Sequence, residues 1–133
     1  MSIQDMIAQL GQGMLTSVLI YALTLIGAVP LALPLALARG GKSKIARLLT
    51  GAYISFMRGT PLMLQLIAVY FGPWYLFRIR ISDRYRFYAV IIAFVLNYAA
   101  YFAEIYRAGI AAVPKGQREA AAVLGYTLSL IHI

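Results

Sequence analysis

The sequence predicts an all-α protein: a polytopic bundle of transmembrane helices. Two observations carry this. Of the 133 residues, 62% are hydrophobic and only 12% are charged, where a soluble domain usually carries about 25% charged residues. The charges are also segregated into short connectors between long uncharged runs. A chain of this size cannot hide that much apolar surface in a water-soluble core. With no cysteine there is no disulfide framework, thiolate metal site or cysteine nucleophile, and the single His132 is the penultimate residue. A metal site or a catalytic triad is therefore not expected. The net charge of +8 would suggest nucleic acid in a soluble protein. Here the basic residues flank apolar spans, so topology and contact with membrane lipid explain them, and no nucleic-acid partner is expected.

Residues 1–12 contain Asp5 and no basic residue, so they lack the n-region of a signal peptide. Ile3, Met6, Ile7 and Leu10 fall at helical spacing and suit the membrane interface. From Met6 to Ala38 no residue is charged, and residues 14–38 are expected as the first spanning helix. Pro30 and Pro34 predict a kink within it. Arg39, Lys42, Lys44 and Arg47 then mark a cytoplasmic connector, which places the N-terminus outside.

Leu48 to Phe77 is apolar except at Arg58, Gly59, Thr60 and Pro61. Thr60 precedes a proline and so avoids the helical region. A helix over 45–57, a break, and a spanning helix over 61–77 are expected, with Thr60 capping the second helix and Pro61 at its first position. Arg58 either snorkels to headgroups or fixes the break. The next connector holds Arg78, Arg80, Arg84 and Arg86 around Asp83 and lies outside by alternation. That opposes the positive-inside rule, but eight of the 12 basic residues remain inside, at 39–58 and 107–125.

The third uncharged stretch, Phe87 to Ala103, is expected to span as part of 87–106. It places Asn97, Tyr101 and Glu104 at i, i+4 and i+7, one helical face, with Tyr98 beside them. Polar groups at that depth must face protein or water. They line a translocation path together with Gln65, or they tie helices together by hydrogen bonds. Glu104 can also pair with Arg107 at i+3.

After this span comes a short amphipathic helix. Pro114 suits its first position, Glu119 lies early in it, and Gly125 is a candidate left-handed terminator. Ala120, Ala121 and Leu124 form a shallow apolar face suited to a groove on another protein.

Gly116 and Gln117, followed by Glu119, Ala120 and Ala121 and then Leu124 and Gly125, resemble the cytoplasmic coupling loop (the EAA loop) of ABC importer permeases. The Arg58–Leu62 segment, Ala99 to Tyr101, Glu104, Arg107, Gly109 and Ile110 resemble the polar amino acid branch of that superfamily. The likeness runs from about Gly13 to Gly125. It implies a partial type I importer fold in residues 1–133, alternating access, and a prokaryotic cytoplasmic membrane. It also implies an ATP-binding cassette ATPase partner, an extracytoplasmic solute-binding protein, and a second permease subunit, identical or different. The sequence has no phosphate loop with a following Lys and Ser/Thr, so no cofactor is expected and ATP hydrolysis falls to the partner. Residues 128–133 do not resemble the family's continuation, and truncation of a longer permease is expected. Two other readings fit the polar face and the short helix alone. One is a membrane anchor that recruits a cytosolic partner through 114–124. The other is a small oligomeric channel.

Overall fold

The computed structural model describes residues 2–126, and they are helical almost throughout. The order is α1 (Ile3–Gly40), α2 (Lys44–Gly59), α3 (Leu62–Phe77), α4 (Asp83–Ala112) and α5 (Lys115–Val123). The expectation about residues 128–133 lies outside the described residues.

Helix α1 is longer than the expected 14–38. Ser2 and Asp5 form a reciprocal capping box at its start, so the polar N-terminal residues join the apolar run as one helix of 38 residues. At 1.5 Å per residue that is about 57 Å, well beyond a hydrocarbon core of about 30 Å. The helix continues across both Pro30 and Pro34, which lie on its exposed side.

The core is a seam of small residues. Thr24, Ala28, Ala32 and Ala36 recur every four residues and are the buried residues of α1. They lie along α4, which buries Ala89, Ala93, Ala99, Ala100 and Ala103. In lipid, helices associate by close packing rather than by expelling water, and small residues permit it. At Gly27 the approach is closest: a Cβ there would lie 2.7 Å from Val95 Cγ2. Helix α2 adds Ile54 to this core and donates the Tyr53 hydroxyl to the Leu96 carbonyl of α4.

Helices α2 and α3 are bent by 108° at a short break. Helix α3 alone has 16 residues, about 24 Å, short of a full span. The pair together passes as one broken span or a re-entrant segment, beside the two long apolar helices α1 and α4. The far end of α3 stops at Arg78, a non-glycine residue in the left-handed region at φ 55°, whose guanidinium lies 5.3 Å from the Trp74 ring centroid. Tyr85 ties that end to α4 by donating to the Val69 carbonyl at 2.9 Å.

The Gly27 contact generates a paired test. Gly27→Ala and Gly13→Ala gain the same helix propensity, but nothing lies within 4 Å of a Cβ at Gly13. In thermal unfolding, Gly27→Ala should be the less stable of the two by about 1–3 kcal/mol. Equal midpoints would mean that α1 and α4 do not meet there.

Candidate functional site

The break between α2 and α3 begins with a missing donor. In a continuous helix the Met57 carbonyl would accept from the N–H of residue 61, and Pro61 has none. A carbonyl left without a donor in a packed helix junction costs about 1–3 kcal/mol. Two side-chain amides replace the lost donor. Gln65 Nε2 donates to the Met57 carbonyl at 3.0 Å and Asn97 Nδ2 donates to it at 3.1 Å. Asn97 Nδ2 also donates to Gln65 Oε1 at 3.0 Å, so α3 and α4 are joined through the same atoms. Gln65 Nε2 reaches the Thr60 carbonyl and hydroxyl at 3.2 and 2.8 Å as well. Gln65 and Asn97 are 8% and 5% exposed, so their amides are committed to protein.

Thr60 departs from its expected role. It closes α2 rather than capping α3: its N–H and hydroxyl both donate to the Phe56 carbonyl, at 3.1 and 2.8 Å. Pro61 is the N-cap of α3, one position before the place expected for it, with Leu62 as the first helical residue. With Thr60 extended at φ −111°, ψ 143°, its hydroxyl is aimed back along α2.

The break delivers Arg58 to α4. Its Nη1 lies 3.9 Å from Glu104 Oε2, and its guanidinium carbon lies 5.5 Å from the Tyr101 ring centroid. Glu104 is gripped more closely by Arg107 of its own helix, whose Nη2 donates to Oε2 at 2.8 Å and whose Nε reaches both oxygens at 3.1 Å. Arg58 thus reaches α4 across the break, by a long ion pair and by its place over the Tyr101 ring. Arg58, Gly59, Tyr101 and Glu104 line one cleft of about 460 Å³ with Arg39 of α1. Tyr98 turns elsewhere, to a groove of about 430 Å³ shared with Tyr21 and Thr24 of α1. The ring of Tyr98 still lies 6.2 Å from that of Tyr101, so the two spaces adjoin.

Arg39 belongs to this site and sequence reasoning read it only as a topology marker. Its guanidinium lies flat on Gly51, where a Cβ would be 3.1 Å from Arg39 Cζ. Its Nη1 reaches the Arg47 carbonyl at 3.4 Å. No local pattern links residues 39 and 51; a glycine in the interior of α2 was the one local signal.

Helix α5 stands apart, with none of its residues buried. Pro114 is its N-cap, one place earlier than expected, and Lys115 is its first residue. Glu119 falls beyond the first turn, which holds no acid, so its benefit from the helix dipole is smaller than expected. The C-terminus is a Schellman motif: Tyr126 N–H donates to the Ala121 carbonyl at 2.9 Å and Gly125 N–H to the Ala122 carbonyl at 3.1 Å. Gly125 sits at φ +69°, a conformation that favours glycine. Gly116, Gln117, Glu119, Ala120 and Leu124 are exposed and Ala121 is half-buried.

A double-mutant cycle tests the amide network at the break. Gln65→Leu and Asn97→Leu should each destabilise by about 1–3 kcal/mol, because each leaves a buried group unpaired. Removing both should depart from the sum of the two by about 0.5–3 kcal/mol, because the amides bond each other and share the Met57 carbonyl. Strict additivity in unfolding measurements would show that the two amides act separately.

Residues 28–131 match the family of binding-protein-dependent transport system inner membrane components. The chain is 42% identical over 97 residues to the putative glutamine transport system permease protein GlnP of Rickettsia prowazekii, covering 73% of this chain and 43% of that protein. It is 53% identical over 73 residues to the arginine transport system permease protein ArtQ of Bacillus subtilis, 55% of this chain and 32% of that one. It is 44% identical over 102 residues to the L-cystine transport system permease protein TcyB of Bacillus subtilis, 77% of this chain and 40% of that one. The chain therefore spans less than half the length of these relatives. Among solved structures, a crystal structure of an amino acid ABC transporter with histidines superposes with a TM-score of 0.77 at 35% identity, over 98% of this chain and 60% of the other. The small-residue seam, the proline break and the exposed helix after α4 thus sit in a sequence that belongs to the binding-protein-dependent transport system inner membrane components, the permeases of ABC transporters.

Proposed function

We propose that the chain is part of the membrane-spanning subunit of an ATP-driven importer of polar amino acids. It would not itself be an enzyme. A separate ATP-binding cassette subunit hydrolyses ATP, a solute-binding protein delivers substrate from outside, and a second permease subunit completes the path. The relatives named for glutamine, arginine and cystine transport support the substrate class. In the proposed topology the N-terminus is outside and residues 39–58 and 107–125 face the cytoplasm.

The observation that carries this reading is α5. It is an exposed, firmly terminated helix with a low apolar face of Ala120, Ala121 and Leu124, leaving α4 through only Val113 and Pro114. A partner that closes on ATP would press on this face, with Gly116, Gln117, Glu119 and Gly125 forming its polar rim and its end. Helix α4 is unbroken for 30 residues. It would carry that motion directly to Glu104, Tyr101 and Tyr98, which we assign to the path. Gln65 and Asn97 would shape the path by holding the bend, together with Arg58, Gly59, Thr60 and Pro61.

Bulk on the α5 face is the test. In the full-length permease assembled with its ATPase, Ala121→Trp should leave insertion and melting unchanged. Nucleotide-dependent uptake of radiolabelled glutamine or arginine should fall at least tenfold. Gly125→Val should also lower uptake, by straining the cap at positive φ. Uptake unaffected by Ala121→Trp would remove α5 from the mechanism. Flux that needs no nucleotide would point to a channel.

A further inference from the structure

Three guanidiniums, from Arg39, Arg58 and Arg107, gather at one end of the bundle around a single carboxylate, Glu104. Glu104 forms the only ion pairs at this end among the described residues. The three arginines therefore exceed the one carboxylate by two positive charges, and Arg39 is the one of them in no ion pair. Arg39 is the sharpest case. It is the first charge after the uncharged run that starts at Met6. Its Nε is buried with no hydrogen-bond partner. Its one hydrogen bond goes to a backbone carbonyl at the long distance of 3.4 Å. Unpaired charge at such a boundary is costly and calls for an anion.

A groove of about 510 Å³, lined in part by Arg39, lies between the last turns of α1 and α4. Its walls combine two chemistries. Arg39 and Arg107 supply positive charge, and Ala36, Leu37, Ile110 and Ala111 supply an apolar lining. A small soluble anion would use the first and waste the second. A phospholipid uses both, with its phosphate at the arginines and its glycerol and upper acyl chain along the aliphatic wall. We propose that this groove is a binding site for an anionic phospholipid. Its placement in the cytoplasmic leaflet rests on the topology proposed above. The site itself does not, because lipid association can be read in either leaflet and without transport.

The experiment uses the full-length protein in phosphatidylcholine vesicles, probed with spin-labelled phosphatidylglycerol and spin-labelled phosphatidylcholine. Wild type should prefer phosphatidylglycerol. Arg39→Gln should lower that preference about fivefold, the size expected of one basic residue at a charged lipid surface. Arg39→Lys should keep most of it. Ile110→Trp, which fills the groove and leaves every charge in place, should lower it as much as Arg39→Gln does. Arg84→Gln, in the first turn of α4 at its opposite end, should leave it unchanged. Association with phosphatidylcholine should be the same for all variants, and Arg39→Lys and Ile110→Trp should melt as wild type does in pure phosphatidylcholine, which separates loss of the site from loss of the fold. No preference in wild type, or equal losses from Arg39→Gln and Arg84→Gln, would overturn the proposal. So would displacement of the lipid by millimolar inorganic phosphate, which would mark a free-anion site.

Discussion

The carbonyl of Met57 is the atom on which the arrangement depends. Pro61 withholds the N–H that would have paired with it, so side chains must supply the donor instead. Gln65 and Asn97 supply the missing donors from two other helices. Solving that one deficit therefore bends α2 against α3 and ties both to α4. It also sets Arg58 beside Glu104 and Tyr101. A proline at the break is tolerated because specific side chains complete the backbone around it.

The remaining architecture serves this junction. The alanine-lined seam brings α1 close enough to α4 for Arg39 to reach across to Gly51 of α2. The C-terminal ends of α1 and α2 consequently meet α4 over one carboxylate. From that meeting point α4 runs on without interruption to the two-residue link before α5. A helix is stiff along its axis, so a push on α5 has a direct line to Glu104. The proposed coupling mechanism needs this rigid line more than it needs any one contact on the α5 surface.

Features set by neighbours in the chain were legible in the sequence. The break at Arg58 to Pro61 follows from the proline, the cap at Gly125 from the glycine, and the uncharged runs from hydropathy. The pairing of Glu104 with Arg107 was legible too, because it is local. Residue types at the junction were recognisable as unusual, since Gln65 and Asn97 are polar amides in apolar runs. Their shared acceptor was not, because nothing in the sequence aligns residues 57, 65 and 97. The true start of α1 was masked by polar residues that looked interfacial, although Ser2 and Asp5 carried a capping signal. Arg39 shows the limit most clearly: as a charge it reads as topology, and only packing against Gly51 makes it part of a site.

The most direct measurement is the distance between spin labels at Ser55, on α2 beside the cleft, and Gln117, on α5, in the full-length permease bound to its ATPase. Pulsed electron resonance would record it without nucleotide and with ATP trapped. If α4 and α5 transmit the partner's closure to the cleft, the distance distribution shifts on ATP binding, and Ala121→Trp abolishes the shift. An identical distribution in both states, in a complex that still transports, would contradict the account.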